Sequence, residues 1–479
     1  MNSCSAEEFI RDYAKAIQES KAALFIGSGL SRSAGYTDWR GILREAATDI
    51  GLSVEKEDDL ISLAEYYVNE KKNRAKINSA ISEYFSEGYP PTETHKILAS
   101  LGITSWWTTN YDQLIERTFR QQERQVSVLT NDNSFCKFSS KNAVTVHKLH
   151  GDVESPEEAV ITKKDYEEFV PKHEVLLAKL KGEMCSKSFL FLGYSFSDTD
   201  IHHILACIRL FYQGSPPQIH YNIAARVQRD SNETVDEFAY RVRKQEHYVA
   251  DLKSYGIHTV LLDSYDEIPS VLLQIRQRVF AQNVFVSGAY IAGPDAEDSA
   301  RFGMELSEWL VAKKFQIYTG YGNQLGSDII AGAYEACCKS RTARINLGEI
   351  LHICPFPYRR RMLVREREAL YSELRKDMIS QTRITVVING TKKLRRGQIN
   401  SPGVLEEAEI SEKQGNIIIP IAYTGGAARE VWERLKAKGA SYTQSKEFDR
   451  LKDGPHLEDV LDAAKNLIVS AASGQIVVK

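Results

Sequence analysis

Short apolar runs recur along this chain, and each one ends at glycine or at polar residues. In the first half they occupy residues 22–26, 103–108, 143–149, 189–192 and 219–224. The stretches between them carry apolar residues three or four positions apart, which is typical of helices. Short buried strands that alternate with helices predict a parallel α/β sheet, in which the residues after each strand gather at one edge.

The same pattern starts again near residue 282. Apolar runs follow at 284–288, 315–318, 384–388 and 417–421, and a helical stretch covers 297–313. A chain of 479 residues is too long for one ordinary core. We therefore predict an α/β protein with two Rossmann-like parallel-sheet domains, at residues 1–278 and 282–479. The helical pattern of residues 38–99 predicts a helical insertion in the first domain.

The charge balance argues against a general nucleic-acid-binding protein. Lys and Arg number 61 and Asp and Glu number 64, for a net charge of -3, whereas phosphate binding relies on clustered positive charge. The arginines at 359–361, with Arg365 and Arg367, are interpreted as one face of a helix. We expect no nucleic-acid partner.

The sequence gives no indication of membrane insertion, export or zinc binding. The apolar runs are far shorter than the roughly 20 residues of a membrane-spanning helix. The start of the chain carries Glu7 and Glu8 and lacks the regions of a signal peptide, which predicts a cytoplasmic protein. The seven cysteines include no C-x-x-C pair, so we expect reduced thiols and no metal site.

Three predicted strands of the first domain end at polar motifs. G-S-G-L-S at residues 27–31 follows the first strand, and its glycines allow backbone N–H groups to approach a pyrophosphate. A glycine pair after a strand is equally typical of a tight turn. Asn110 lies in T-T-N-Y-D after a second strand, and His150 lies in H-G-D after a third. These motifs predict a carboxamide and an imidazole at the same edge as the glycine turn.

Asn110 and His150 suit the cleavage of an N-glycosidic bond to a cationic ring. Nicotinamide leaves NAD as a neutral ring and needs no acid, so the electron-poor sugar limits the reaction. An asparagine can hold ribose hydroxyls and a water, and a neutral histidine can accept a proton from either, a contribution of roughly 10²- to 10⁴-fold. The alternative is that Asn110 forms a turn and His150 is structural. For Asp112 and Asp152, helix capping is the simpler explanation.

Together these motifs resemble the sirtuin family over roughly residues 15–275. Sirtuins bind the NAD diphosphate with a G-A-G-x-S loop, in which Ser28 replaces the alanine here, and contact the nicotinamide ribose with T-x-N-x-D. The G-Y-S-F-S-D segment at 193–198 resembles their adenosine-binding segment. The resemblance implies that Asn110 and His150 are catalytic. It also implies NAD contacts at Gly27, Ser28, Gly29, Ser31, Thr109, Asp112, Gly193 and Ser195.

The chain departs from protein-deacylating sirtuins in one respect. It lacks the paired cysteines of the zinc module that helps shape their acyl-lysine channel. Without that module, water is the expected acceptor. The helical insertion is then expected to cover the NAD site and to serve as a gate.

The second domain carries further glycine-rich turns. One ends the strand at 284–288, another at 320–327 is predicted to open a helix at Asp328, and a third at 403–407 begins a helix. Arg375 and Lys392 are candidates for ligand phosphates, although single cations are more often solvated surface residues. The set resembles the SLOG domain, which senses nucleotides. The resemblance implies ligand contacts at Ser287, Gly288, Gly322, Gly326, Arg375, Lys392, Gly403 and Glu407.

A sirtuin-like domain followed by a SLOG domain resembles the effectors of Thoeris anti-phage defence. The resemblance implies an NAD+ glycohydrolase, with NAD+ as substrate and no other cofactor, that depletes NAD and causes abortive infection. It implies activation by a cyclic ADP-ribose isomer made by a TIR-domain partner protein, and a homo-oligomer, usually a tetramer. Two alternatives stay open: a zinc-free NAD-dependent protein deacylase or ADP-ribosyltransferase, and a non-catalytic nucleotide sensor.

Overall fold

The chain forms two compact units, Met1–Arg276 and Gln277–Lys479, in the computed structural model. The structure describes residues 3–86, 88–122, 124–133, 143–196, 199–211, 218–293, 296–339, 346–357, 363–394 and 397–476. The arginines at 359–361 and the last two residues of the 193–198 motif lie outside the described residues. Each unit is built on a parallel sheet, which confirms the predicted α/β class.

The first unit contains a seven-stranded parallel sheet in its described part. The strands are β1 (Ala22–Ile26), β2 (Ser105–Thr108), β3 (Val126–Leu129), β4 (Val144–Lys148), β5 (Ser188–Leu192), β6 (His220–Ala225) and β7 (Ile257–Leu262). Their order is β3-β4-β2-β1-β5-β6-β7, with every neighbouring pair parallel. The strands from β2 to β4 lie on one side of β1, and those from β5 onward lie on the other. This change of direction opens a crevice at the carboxyl ends of β1 and β5, where such sheets bind ligands.

Helices cover this sheet and supply the predicted insertion. They are α1 (Ala6–Gln18), α2 (Ser28–Ala34), α3 (Trp39–Asp49), α4 (Leu60–Lys71), α5 (Ala75–Ser86), α6 (Glu93–Ser100), α7 (Leu114–Gln121), α8 (Lys163–Lys172), α9 (Glu174–Ser186), α10 (Thr199–Phe211), α11 (Val235–Ser254) and α12 (Ile268–Val279). The insertion consists of α3 to α6. It has a core of its own, in which Leu43, Ala64 and Ile81 are fully buried. The two central strands β1 and β5 are buried along their whole length, as expected for a sheet with helices on both faces.

The second unit has a smaller sheet of the same kind. Its described strands are β8 (Asn283–Ala289), β9 (Gln316–Thr319), β10 (Leu351–Ile353), β11 (Ile384–Asn389), β12 (Thr391–Lys393), β13 (Gln398–Asn400) and β14 (Ile417–Ile421). Five of them form the parallel order β10-β9-β8-β11-β14, and β12 pairs with β13 in an antiparallel hairpin. The helices are α13 (Glu297–Ala312), α14 (Leu325–Lys339), α15 (Leu347–Ile350), α16 (Val364–Ser380), α17 (Pro402–Lys413), α18 (Gly426–Lys438), α19 (Lys446–Asp453) and α20 (Leu457–Ala472). The sheet changes direction between β8 and β11, and the predicted ligand motifs follow or face these strands.

Two helices begin earlier than the sequence pattern predicted. α2 begins at Ser28, so the residues after Gly27 form a helical turn rather than a loop. α14 begins at Leu325 instead of Asp328, which places Gly326 in its first turn. The two arginines of the basic cluster that the structure describes, Arg365 and Arg367, lie on α16 as predicted.

Candidate active site

A cavity of about 370 Å³ lies at the carboxyl edge of the first unit's sheet. Its walls come from the turns after β1, β2, β4 and β5, from the helical insertion and from α8. The predicted site residues in the walls are Ser28, Ser31, Thr109, Asn110, Asp112, His150, Gly193 and Ser195. Four turns that are distant in sequence therefore contribute to one site.

Asn110 is held by the turn after β1. Its Nδ2 donates to the carbonyl oxygen of Gly27 at 3.1 Å and to the hydroxyl of Ser31 at 2.8 Å. Its backbone N–H donates to the hydroxyl of Thr108 at 3.0 Å. A side-chain amide nitrogen has two hydrogens, and here both are used within the protein. The oxygen Oδ1 is the end of the carboxamide that is left to accept a ligand hydroxyl.

Asp112 holds in place the Ser31 hydroxyl that accepts the hydrogen bond from Asn110. Ser31 Oγ donates to Oδ2 of Asp112 at 2.6 Å, and all three side chains are buried. Oδ1 of Asp112 accepts the backbone N–H of Leu114 at 2.9 Å, where α7 begins. Asp112 thus makes a turn contact in place of the expected helix cap, because the N-cap position of α7 is Gln113. It also sets the orientation of the carboxamide through Ser31.

His150 lies in the turn after β4 and is only 3% exposed. Its ring meets the rings of Tyr166 and Phe169 edge to face, with centroid separations of 5.5 and 5.7 Å. The next residue, Gly151, has a φ of +95°, a conformation that favours glycine. Both aromatic residues come from α8 and were missed by the sequence analysis, because no motif ties them to His150.

The glycines of the site pack two turns against each other. The N–H of Gly27 donates to Leu192 O at 2.8 Å, and that of Gly29 donates to Gly193 O at 2.9 Å. A Cβ on Gly27 would lie 2.4 Å from Gly193 O, and one on Gly193 would lie 2.5 Å from the nitrogen of Leu30. The predicted pyrophosphate cradle is therefore not formed by the amides of Gly27 and Gly29, since both are engaged within the protein. These glycines instead allow the turns after β1 and β5 to approach closely.

The helical insertion forms one wall of the cavity. Its lining residues are Asp38, Trp39, Asp58, Asp59, Leu60, Ile61 and Phe85. Asp59 accepts hydrogen bonds from the hydroxyl and the N–H of Ser62, which lower the pKa of its carboxyl. The insertion thus covers the site with apolar surface and with carboxylates, as expected for its position; its action as a gate stays a prediction.

One charged residue near the site was missed in the sequence. Lys148, the last residue of β4, is fully buried and bonds to the Asp152 carboxylate. Burial opposes the charged form of Lys148, but the carboxylates of Glu116 and Asp152 raise its pKa. A lysine at the end of an apolar strand, four residues before an aspartate, was the available signal. Asp152 also accepts the N–H of Glu154 at 2.9 Å, a turn contact in place of the expected helix cap.

In the second unit, four predicted ligand residues form one cluster. Ser287 donates to Oε2 of Glu407 at 2.5 Å, and Nε of Arg375 donates to Oε1 of the same carboxylate at 3.3 Å. Arg375 also pairs with Glu406 at 2.8 Å. A Cβ on Gly403 would lie 2.6 Å from Nη2 of Arg375. Burial raises the pKa of the Glu407 carboxyl, while Ser287 and Arg375 oppose that change.

The other predicted ligand residues of this unit are placed differently. A Cβ on Gly322 would lie 1.9 Å from the carbonyl oxygen of Gly288, and one on Gly326 would lie 2.6 Å from the Tyr321 ring. These three glycines therefore pack turns closely at the ends of β8 and β9. Lys392 is exposed on the β12–β13 hairpin, and the described contacts do not join it to the Arg375 cluster.

The described residues contain free cysteine thiols and no group of three or more His, Cys, Asp or Glu side chains arranged to hold a metal. In the same part of the chain, each helix is too short or too polar to cross a bilayer.

Two protein families match this chain. A SIR2-like domain family matches residues 104–251, and the Sir2- and TIR-associating SLOG family matches residues 267–469. The NAD(+) hydrolase ThsA of Bacillus cereus (strain MSX-D12) is 37% identical over 444 residues, 91% of this chain and 90% of that protein. The NAD(+) hydrolase ThsA of Cytobacillus dafuensis is 35% identical over 96% of this chain and 93% of its own length. The corresponding protein of Acinetobacter baumannii (strain 532279) is 32% identical over 88% of each chain.

The chain belongs to the ThsA family. The order of a sirtuin-like and a SLOG domain, expected from the motifs, is thereby confirmed. In this ThsA-family chain, Asn110 and His150 lie within the SIR2-like match, whereas Arg375 and Glu407 lie within the SLOG match. The two clusters of candidate residues therefore belong to different domains of the family.

Proposed function

We propose that this chain hydrolyses NAD+ to nicotinamide and ADP-ribose in its first unit. The observation that carries the proposal is the single cavity that gathers Asn110 and His150 with the turns after β1 and β5. The ThsA proteins to which the chain is similar are named NAD(+) hydrolases. Under this proposal, NAD contacts come from the eight lining residues named above, and Gly27 and Gly29 shape the site.

The arrangement suits a reaction in which the sugar becomes cationic. The Oδ1 atom of Asn110 accepts a hydroxyl of the nicotinamide ribose, and its fixed orientation holds that ribose in place. His150 accepts a proton from a ribose hydroxyl or from the attacking water. The carboxylates of Asp38, Asp58 and Asp59 favour the cationic nicotinamide ring on that side of the cavity. Nicotinamide departs as a neutral ring, and water adds to the ribose carbon.

The second unit is proposed to be the sensor that switches hydrolysis on. Residues 1–278 would carry the reaction and residues 282–479 would bind a cyclic ADP-ribose isomer, supplied by a TIR-domain partner during phage infection. Both oxygens of Glu407 and two nitrogens of Arg375 are engaged within the protein. A ligand phosphate that binds the remaining N–H donors of Arg375 would compete with Glu406 and Glu407 for the guanidinium charge. Activation in a homotetramer would then deplete NAD and abort the infection.

An assay of nicotinamide release tests both the proposed hydrolysis in the first unit and the proposed activation through the second. The purified chain is incubated with NAD+ and a panel of cyclic ADP-ribose isomers, with and without an acylated peptide. Release that needs an isomer and no peptide supports the proposal, and Asn110→Ala or His150→Ala should abolish it. Release that needs the peptide would support a deacylase or transferase. If none of the isomers produces nicotinamide release, the result would support the alternative that the chain is a non-catalytic nucleotide sensor.

A further inference from the structure

One buried ammonium group joins the turns after β2 and β4. Lys148 Nζ donates to the carbonyl oxygens of Tyr111 at 3.1 Å and of Asp112 at 2.6 Å, both in the turn after β2. It also donates to the carboxylate of Asp152, in the turn after β4. An ammonium has three N–H donors. All three are used here, two on one turn and one on the other.

These two turns carry the proposed catalytic side chains. Asn110 directly precedes Tyr111, and His150 lies midway between Lys148 and Asp152. We propose that Lys148 is a positioning residue, whose ammonium fixes the carboxamide of Asn110 and the imidazole of His150 in one arrangement. The kinetic consequence rests on the proposed function, whereas the coupling of the two turns does not.

The burial of this charge is what makes it an effective link. An ammonium in a low-dielectric interior is costly unless its donors and its charge are both satisfied. Lys148 is fully buried, and Glu116, also buried, lies 3.4 Å from it. An apolar side chain would fill the same space, but it would not bond two carbonyls and a carboxylate. If either turn moved away, the buried ammonium of Lys148 would lose hydrogen-bond acceptors that water does not replace. The free-energy cost of that loss keeps the two turns together.

Neighbouring contacts bind the same two turns. The N–H of Val153 donates to Tyr111 O at 3.0 Å. Nε2 of Gln113 donates to Oδ1 of Asp152 at 3.1 Å. Tyr111 O thus accepts from Lys148 and Val153, and the Asp152 carboxylate accepts from Lys148, Gln113 and Glu154, which places the ammonium inside a network shared by both turns.

Kinetics of two variants test the proposal. Asp152→Asn keeps the acceptor for Gln113 and the pairing of Lys148 with Glu116, but weakens the link between the turns. Lys148→Met removes all three hydrogen bonds of the ammonium and leaves the Val153–Tyr111 and Gln113–Asp152 bonds between the turns. We expect either variant to lower kcat for nicotinamide release by about 10²-fold, because small displacements of reacting groups are costly, with KM for NAD+ changed less than about threefold.

Glu183→Gln is the matched control. Glu183 is a buried carboxylate that accepts Trp107 Nε1 at 3.0 Å and pairs with Lys179 and Lys187, and it contacts neither turn. Its loss should lower stability but leave kcat unchanged. If Glu183→Gln lowers kcat as much as Asp152→Asn at equal loss of stability, the positioning role is wrong.

Amide hydrogen exchange of the ligand-free chain gives a second readout that does not depend on activity. Segments 109–113 and 149–153 should lose protection together in Lys148→Met and in Asp152→Asn. In Glu183→Gln, both segments should keep the protection of the unaltered chain. A loss confined to one segment would overturn the proposal. If the unaltered chain releases no nicotinamide with any isomer, the proposed function fails while the exchange experiment still decides the link between the turns.

Discussion

The side-chain nitrogen of Asn110 donates to the hydroxyl of Ser31 at 2.8 Å, and that hydroxyl donates to Asp112 at 2.6 Å. The chain of bonds runs from the turn after β2 to α2 and back. It leaves Asn110 with a fixed orientation before any ligand binds. A preorganised group does not have to be ordered during the reaction, so its contribution to catalysis is larger than that of a mobile one.

Replacing Ser31 tests this orientation. Ser31→Ala removes one acceptor of Asn110 and the donor to Asp112, and should lower kcat for nicotinamide release by about tenfold, equivalent to the loss of one hydrogen bond of about 1.4 kcal/mol. Ser33→Ala is the control, because Ser33 lies on the same helix and donates only locally, to Leu30 O at 2.6 Å. Equal activities of the two variants would argue against the role of Ser31.

The close approach of the turns after β1 and β5 predicts a strong effect at Gly193. Its φ is +65°, and a Cβ would lie 2.5 Å from the backbone nitrogen of Leu30. Gly193→Ala should lower the free energy of unfolding by about 2–4 kcal/mol and weaken NAD+ binding. Gly182→Ala, on α9 with nothing within 4 Å of the new Cβ, should change stability by at most about 1 kcal/mol. Urea denaturation of both variants measures the difference.

The ion pair between Arg375 and Glu406 predicts opposite effects on activation when either residue is replaced. Arg375→Ala should remove activation by a cyclic ADP-ribose isomer, with the first unit still folded by circular dichroism. Glu406→Gln removes a competing carboxylate and should lower the isomer concentration for half-maximal nicotinamide release by about threefold to tenfold. Glu412→Gln, on the same helix but paired with Arg434 and Lys438, should leave it unchanged. An unchanged response in Glu406→Gln would show that this ion pair does not compete with the ligand.

Buried histidines predict a loss of stability in mild acid. Burial lowers the pKa of His95, His147 and His220 to about 4, whereas an unfolded histidine has a pKa of about 6.5. The unfolded chain therefore binds protons first. The unfolding free energy should be constant with respect to these groups above pH 6.5 and fall as the pH drops from there towards 4, by about 1 kcal/mol per histidine at pH 5.5.

Urea midpoints between pH 7.5 and pH 5.5 measure this decrease. His220→Gln supplies the control, since it removes one of the three histidines with the largest lowering of the pKa and should reduce the decrease by up to about a third. His220 Nδ1 accepts the N–H of Phe189 at 3.2 Å, so protonation of that nitrogen would also break a hydrogen bond. An identical pH dependence in the variant would rule out His220 as a contributor.

The fold was predictable where strands are buried on both faces. β1, β5 and β14 are continuous apolar runs because helices cover both of their sides, and the pattern located them to within a residue. β3, β7 and β10 were missed. Each is a partly exposed edge strand in which polar residues interrupt or flank the apolar ones, whereas β14, also at an edge, is buried along its whole length.

The part of the candidate site that follows the strands was predictable, because the carboxyl ends of parallel strands lie at the same edge of the sheet. That rule brings Asn110, His150 and the turns at Ser28 and Gly193 to one edge from sequence alone. It says nothing about residues that reach the edge from helices or from beneath it. Tyr166 and Lys148 were therefore missed, since their roles depend on which side chain each turn meets after folding.

The sequence by itself determined two α/β domains in order, the strands that carry the site and the residue types at their ends, because hydrophobic periodicity and turn chemistry are local properties. Only the tertiary structure decided how those residues act. It turned the glycines from expected pyrophosphate ligands into contacts between turns, engaged Arg375 with Glu406 and Glu407, and placed one ammonium between the turns of Asn110 and His150. These outcomes depend on which donors and acceptors meet across the sheet edge once water is excluded, a property of three-dimensional packing and not of any segment of the chain.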